Sequence, residues 1–194
     1  MREYKLIAHR GSHKFAKENS LFSFFNAINE SYYGFECDVR GTKDKKFYIY
    51  HDMLYDGKLF KNLNSNEIIC DTLESVLKLN TNKIILLEIK DPFIDIDNLV
   101  NILTKYKSKN IYVMSFYNTV IDKLNIKNKT YKVGILNYVL NTTEKHFKYD
   151  FICILRPLLN DKIIEFVKKN NKELFVYGNY NNNFKYDFPY YIVD

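Results

Sequence analysis

The 194-residue sequence predicts an α/β fold built on a largely parallel sheet. Eight short runs rich in Ile, Val, Phe and Tyr alternate with longer amphipathic segments, which is the pattern of βα units. Most runs are apolar at nearly every position, as strands covered on both faces are. Eight strands close a (βα)8 TIM barrel, although the chain is shorter than most barrels, and an open doubly wound sheet is the alternative.

We predict the elements in chain order from these patterns. Strands are expected over residues 4–9, 35–39, 83–89, 111–116, 132–136, 151–155, 173–177 and 190–193. Helices are expected over residues 19–32, 72–79, 95–106 and 160–171, because each has apolar residues at helical spacing or opens with a residue that caps helices. The link from 137 to 150 has room for little more than one or two helical turns. No linker rich in Pro, Gly or Ser divides the chain, so we expect one domain spanning residues 1–194.

One further strand-like run, residues 47–51, follows 35–39 too closely for a helical crossover. The two runs should therefore form an antiparallel hairpin after the second strand. A turn centred on Asp44 and Lys45 would pair Asp38 with His51 and place a carboxylate beside an imidazole.

The composition excludes several classes of function. The formal charge is +6, but only four of the 29 basic residues are arginines and the 25 lysines are scattered. Together with the many Tyr, Phe, Asn and Ile residues, this indicates the codon bias of a low-GC bacterial genome rather than a nucleic-acid surface. Three distant cysteines favour neither a disulfide framework nor a zinc knuckle. We expect a cytoplasmic protein without stable membrane insertion, since no signal peptide or long apolar run is present.

Four charged clusters end predicted strands or the hairpin in the first half of the chain. They are His9-Arg10-Gly11, Glu36-x-Asp38, His51-Asp52 and Glu88-x-Lys90. Side chains two residues apart on a strand share a face, so each carboxylate pair or ion pair points the same way. The carboxyl ends of parallel strands meet at one end of a barrel, which is where barrel active sites assemble.

These residues favour a site for a phosphate ester. Three carboxylates that converge would repel one another unless a cation joined them, and a hard divalent ion such as Mg²⁺ or Ca²⁺ prefers oxygen ligands. His9 and His51 would supply acid and base groups, and Arg10 and Lys90 would bind an anion.

These motifs, taken in order along the chain, resemble those of the glycerophosphodiester phosphodiesterase family. The resemblance rests on the ordered motifs IAHRG (7–11), EN (18–19), FECDVRGTKD (35–44), HD (51–52), LLEIKD (86–91) and SF (115–116). Weaker matches at VGIL (133–136), LFVYGNYN (174–181) and IVD (192–194) extend it over nearly the whole chain. Members of the family are TIM barrels with an antiparallel hairpin after the second strand. The resemblance therefore implies a compact (βα)8 TIM barrel here.

The resemblance also implies roles for individual residues. Metal ligands would be Glu36, Asp38 and Glu88, the acid/base pair His9 and His51, and the phosphate-binding residues Arg10 and Lys90, with Glu18 supporting them. The ion would be one divalent cation, Mg²⁺ or Ca²⁺, with Mn²⁺ as a further option. The implied partner is a small phosphodiester, cleaved to a phosphomonoester and an alcohol, and no nucleic acid. A lyase that forms a cyclic phosphate and a non-catalytic phosphate-binding barrel are the alternatives.

The sequence departs from the family pattern in places that bear on the substrate. Lys17 and Ser20 flank the Glu-Asn motif where the family has Pro and Thr, and Tyr177 stands near the place of the usual aromatic residue. Residues 53–68 alone separate the hairpin from the next helix, where the family carries a longer helical insertion. We therefore expect a more open pocket and a different preference for the alcohol. The sequence does not indicate an oligomeric state.

Overall fold

The computed structural model describes residues 4–127, 130–138, 148–179 and 184–194. Within them lie eleven strands: β1 (Lys5–Ala8), β2 (Gly34–Gly41), β3 (Phe47–Ile49), β4 (Leu54–Tyr55), β5 (Lys58–Leu59), β6 (Ile84–Ile89), β7 (Ile111–Ser115), β8 (Lys132–Asn137), β9 (Phe151–Leu155), β10 (Glu173–Asn179) and β11 (Tyr190–Val193). The α-helices are α1 (Leu21–Asn29), α2 (Leu73–Leu77), α3 (Ile96–Lys105), α4 (Asn118–Asn125) and α5 (Asp161–Lys169). Most of the link that was expected to hold one or two helical turns, residues 139–147, lies outside the described residues.

Eight parallel strands close into a barrel. Their order is β1, β2, β6, β7, β8, β9, β10 and β11, and β1 pairs with both β2 and β11. The (βα)8 TIM barrel is thereby confirmed, and the open doubly wound sheet is wrong. Every predicted barrel strand is present with its ends shifted by at most two residues.

Apolar side chains fill both the barrel and the layer outside it. Inside the barrel, Leu86, Tyr112, Phe151 and Phe175 belong to one buried cluster, which explains why the strands are apolar on both faces. A larger cluster lies between the strands and the helices. Polar groups near the carboxyl ends of the strands therefore lie next to a well-packed apolar interior.

The predicted helices are confirmed, and their starts follow ordinary capping rules. Ser20, Thr72, Asp95 and Asn160 each accept a hydrogen bond from a backbone N–H of the first turn. Helix α4 was not predicted, and Tyr117 at its start offers no side-chain cap that would have marked it.

The hairpin is present, but its predicted register is wrong by one residue. Val39 pairs with Ile49, and the Tyr50 N–H donates to the Asp38 carbonyl, so Asp38 lies opposite Tyr50 and not His51. The turn has three residues rather than two, because Lys45 adopts a left-handed conformation with φ of 62°. Hairpins with three-residue loops commonly have this geometry.

Residues 53–68 contain a second small hairpin that was not predicted. Strands β4 and β5 pair around Asp56 and Gly57, whose φ angles are 48° and 76°. An Asp-Gly pair between two strand-like residues on either side is a recognised hairpin signal, so the sequence did carry the information. Across the described residues, no helix has the length and apolar character needed to cross a bilayer.

Replacing Gly134 in β8 with alanine is expected to destabilise the barrel. A Cβ atom there would overlap three atoms of the buried Phe151 ring. Overpacking of this kind costs about 1–3 kcal/mol, which urea unfolding would measure as a lower free energy of unfolding. Gly41→Ala is the matched control, since its nearest neighbour is 3.4 Å away and the loss should stay within about 0.5 kcal/mol. Equal losses in both variants would contradict this account of the interior.

Candidate functional site

Three carboxylates meet at adjacent barrel strands. Strands β2 and β6 are neighbours, and their register places Asp38 beside Glu88. Glu36 lies two residues earlier on β2, so it shares the inward face with Asp38. One oxygen from each of the three lies within 4.8 Å of the others. The sequence prediction that these three residues converge is therefore matched by the geometry.

The electrostatics of this acidic cluster favour a cation. Burial, followed by repulsion from Asp38, raises the pKa of Glu36 well above its usual range. Both Glu36 and Asp38 are 1 % exposed, and one buried Glu36 oxygen, Oε1, has no hydrogen-bond partner among the residues that the structure describes. A buried acceptor of this kind is costly unless something satisfies it. Three converging oxygen donors with an unsatisfied atom fit a hard divalent cation.

Lys90 follows β6 and borders the cluster. Its Nζ atom lies 2.8 Å from Glu88 and 3.4 Å from Asp38. Burial lowers the pKa of Lys90, but the two carboxylates outweigh it and the net shift is upward, so the ammonium stays charged. Burial raises the pKa of Glu88, and Lys90 and His51 oppose that rise.

The turn after β1 brings Arg10 to the acidic cluster. Arg10 has a φ of 53°, and its backbone N–H donates to Glu36 at 3.0 Å. Its guanidinium donates to Glu18 at 2.8 Å and lies 3.3 Å from Asp38. Gly11 completes the turn with a φ of 80°, where a Cβ would collide with Ser23. The backbone conformation of this turn therefore helps to orient the Arg10 guanidinium toward Glu18 and Asp38.

Asn19 ties the same turn to β2, and sequence reasoning gave it no role of its own. Its amide donates to the Asp38 carboxylate at 2.8 Å, while its carbonyl oxygen accepts from the Asp38 N–H at 3.2 Å. Its backbone has a φ of 52°, a conformation that Asn tolerates better than most residues. The Glu-Asn motif was the signal that could have identified it.

Each of the two candidate imidazoles is held by an aspartate. His9 Nδ1 lies 2.6 Å from Asp194, and His51 Nδ1 lies 2.8 Å from Asp52. A carboxylate accepts the Nδ1 proton, which leaves Nε2 of each ring as the atom able to exchange a proton. His9 Nε2 is 4.0 Å from Glu36. Sequence reasoning missed Asp194 because it lies at the other end of the chain.

A buried ion pair, Arg40 with Asp91, holds the backbone of His51 in place, and it was not predicted from the sequence. Arg40 donates to the His51 carbonyl through Nε at 3.1 Å and Nη2 at 2.7 Å. Asp91 accepts from Arg40 at 2.7 Å and from the Gly41 N–H at 2.8 Å. His51 is therefore anchored although β3 ends two residues before it.

Aromatic rings flank the site on the side of β7, β8 and β10. Phe116 stacks on Tyr138 with ring centres 4.6 Å apart, and Tyr177 meets both rings edge-on. Burial, together with nearby groups that include Glu88, raises the pKa of Tyr177, which thus stays protonated. Tyr177, the position where the sequence predicted an aromatic residue, thus packs against rings that follow β7 and β8.

Comparisons with known proteins agree on one family. The model of the glycerophosphoryl diester phosphodiesterase family matches residues 9–193. A search of curated protein sequences gave no significant match.

Among solved structures, a glycerophosphodiester phosphodiesterase from Thermotoga maritima is 22 % identical, with a TM-score of 0.75 and coverage of 99 % of this chain and 95 % of its own. One from Parabacteroides distasonis is 22 % identical, with a TM-score of 0.80 and coverage of 97 % and 92 %. An Oleispira antarctica phosphodiesterase, solved with its product sn-glycerol-3-phosphate, is 16 % identical, with a TM-score of 0.82 and coverage of 96 % and 92 %. At these identities the structural likeness supports the barrel fold.

The matched range, residues 9–193, includes the turn after β1, the acidic cluster, both imidazoles and Lys90. This chain belongs to the glycerophosphoryl diester phosphodiesterase family.

Proposed function

We propose that the protein hydrolyses a glycerophosphodiester, or a related small phosphodiester, to a phosphomonoester and an alcohol in a reaction that needs one divalent cation. The observation that carries this proposal is the convergence of Glu36, Asp38 and Glu88, which each have one oxygen within 4.8 Å of the others. A cation there would be held by these three carboxylates, with Mg²⁺ or Ca²⁺ as the leading ions and Mn²⁺ as a third. When bound, it would polarise a phosphoryl oxygen and stabilise developing negative charge.

His9 and His51 are the proposed acid and base. One Nε2 takes the proton of the attacking hydroxyl, and the other returns a proton to the leaving alkoxide. Asp194 and Asp52 support this exchange because each holds the Nδ1 atom of one ring and stabilises the imidazolium that forms. The attacking hydroxyl belongs either to water or to the substrate itself.

Arg10 and Lys90 are the proposed phosphate-binding residues. Both are cations that border the acidic cluster, and both keep their charge because the carboxylates raise their pKa values. An additional negative charge on the phosphoryl group in the transition state would strengthen their attraction to it. Glu18 is proposed as a positioning residue, since its carboxylate holds the Arg10 guanidinium at 2.8 Å.

Hydrolysis to glycerol phosphate has support from the Oleispira phosphodiesterase, whose bound product is sn-glycerol-3-phosphate. We propose a product of the same chemical class here. We further propose that residues 1–194 form one domain and that the protein acts in the cytoplasm. The short β4–β5 segment, which stands where longer insertions occur in the family, supports a different preference for the alcohol.

Phosphorus NMR of a panel of small phosphodiesters tests this proposal. With Mg²⁺, Ca²⁺ or Mn²⁺ present, we expect the diester signal to be replaced by that of a phosphomonoester. Accumulation of a cyclic phosphate would instead establish a lyase. Unchanged diester, together with measurable binding of it by calorimetry, would establish a non-catalytic phosphate-binding barrel.

Asn19→Ala is expected to weaken cation binding about 10- to 100-fold. The amide of Asn19 orients the Asp38 carboxylate, and losing an orienting group of this kind typically has an effect of that size. Calorimetric titration with Mn²⁺ measures it without any need for turnover. Asn29→Ala serves as the control, because that amide bonds only to a helix carbonyl, Phe25, on α1. Equal affinity in Asn19→Ala and the wild type would show that Asp38 is held in place without Asn19.

A further inference from the structure

A deep groove opens beside the acidic cluster, between the hairpin turn, the β4–β5 hairpin and the loop after β6. It encloses about 620 Å³, a volume typical of small-molecule sites. Its apolar wall is formed by Phe47, Met53, Leu59, Phe93, Ile94 and Tyr117. The proposed reaction, as described so far, uses none of these side chains.

The wall exposes apolar side chains to water. Phe93 is 85 % exposed and Met53 is 62 % exposed, and they lie on two different loops that meet over the same space. Large exposed apolar residues that converge on one cavity indicate a binding site more often than chance. Covering them with an apolar ligand would be favourable in proportion to the area removed from water.

The charges around the groove are basic and favour an anion. The two acidic side chains that line it are already paired, Asp91 with Arg40 at 2.7 Å and Asp95 with Lys45 at 3.0 Å. Among the residues that the structure describes, Lys43 and Lys61 form no ion pair, and Lys61 lies over the Phe93 ring at 5.7 Å. The groove therefore combines an apolar wall with unpaired cations.

The groove is continuous with the proposed phosphate site. Lys90 lines the groove, and its Nζ atom lies 2.8 Å from Glu88 in the acidic cluster. Arg40 and Asp91, which anchor His51, line it as well. A ligand in the groove would thus extend directly from a phosphoryl group bound at Lys90.

We propose that the groove binds the apolar chain of an amphipathic phosphodiester, so that the preferred substrates are glycerophosphodiesters carrying an acyl or alkyl chain. This inference rests on the proposed phosphodiesterase function and assigns its substrate class. A neutral lipid would leave the lysines unused, and a small polar diester would leave the apolar wall in water. An anionic phosphodiester with one chain satisfies both.

The test compares two substrates that differ only in the chain. One is glycerophosphoglycerol, and the other is its octanoyl derivative, used below its critical micelle concentration. We expect kcat/KM to be at least about tenfold higher for the octanoyl diester. Phe93→Ser and Met53→Ser should each reduce that ratio at least about threefold. Ile126→Ser is the matched control, because Ile126 is 80 % exposed but lies at the end of α4, away from the groove.

A ratio near one in the wild type, with glycerophosphoglycerol turned over, would overturn the groove proposal and leave the phosphodiesterase function standing. If neither diester is cleaved, the phosphodiesterase function fails, and calorimetry with monomeric dodecyl phosphate still tests the groove. Binding that weakens at least about threefold in Phe93→Ser and not in Ile126→Ser would then support an amphiphile site. Equal binding by all three proteins would overturn it.

Discussion

His51→Ala is expected to lower kcat for phosphodiester cleavage by about 10²- to 10⁴-fold, the range that general acid–base groups contribute. The physical reason is the loss of the Nε2 atom that accepts or returns a proton next to the acidic cluster. The change should leave the fold intact, because Arg40 holds the backbone carbonyl of residue 51 and not its imidazole. Steady-state kinetics with a small phosphodiester measures the loss, and thermal unfolding checks the fold.

Two further variants sharpen the His51 prediction. Asp52→Asn should lower kcat by a smaller factor, about tenfold, and change its pH profile, because Asp52 acts only through the ring it orients. Ile126→Ser is the control and should keep the wild-type kcat, since Ile126 is exposed at the end of α4, away from the site. A kcat for His51→Ala within tenfold of the wild type would remove His51 from the proposed chemistry.

Glu36→Gln is expected to weaken divalent-cation binding by at least about a hundredfold. Removing a proposed ligand should cost at least as much affinity as removing a residue that only orients a ligand. Glu36 supplies one of the three converging carboxylates, and in the described part of the chain nothing hydrogen-bonds to its Oε1 atom. Calorimetry with Mn²⁺ measures the affinity, and Glu165→Gln, at an exposed position of α5, controls for removal of one negative charge. Wild-type affinity in Glu36→Gln would place the cation elsewhere.

Glu36→Gln should weaken cation binding but should stabilise the metal-free protein. Burial and repulsion from Asp38 raise the pKa of Glu36 in the folded state, so the native protein holds this proton more tightly than the unfolded chain does. The stability of the metal-free wild type should therefore increase as the pH falls from the raised pKa toward the ordinary value of 4.5. At pH 8, Glu36→Gln should raise the free energy of unfolding by about 1–3 kcal/mol.

Urea unfolding after chelation, at pH 8 and at pH 5, checks this prediction. We expect Glu36→Gln to be more stable than the wild type at pH 8 and the difference to shrink at pH 5. A variant that is less stable than the wild type at both pH values would show that the carboxylate is satisfied without a cation.

The count of eight βα units and the family motifs favoured the closed barrel over an open doubly wound sheet, and the parallel sheet itself was predicted from strands that are apolar on both faces. Glu36, Asp38 and Glu88 were identified for the same reason, since charges inside such strands require a partner. Asp194 and Asn19 gained their roles only from the closed barrel, which joins β11 to β1 and fixes a left-handed turn beside β2. The register of the hairpin was missed because the left-handed conformation of Lys45 leaves no signal in a lysine.

The groove was missed for a related reason. Its wall comes from three segments far apart in the chain, and exposed Phe93 and Met53 have no periodicity that would mark them. Phe93 and Met53 are recognised as parts of a binding groove only because the fold brings them together beside Lys90.

Turnover of a glycerophosphodiester by chelator-treated protein, followed by add-back of one cation at a time, tests the central claim most directly. We expect no turnover after chelation and recovery with Mg²⁺, Ca²⁺ or Mn²⁺, with release of a phosphomonoester. Glu36→Gln should fail to recover under the same conditions. Full turnover in the presence of the chelator would contradict the account, because the acidic cluster would then have no part in the reaction.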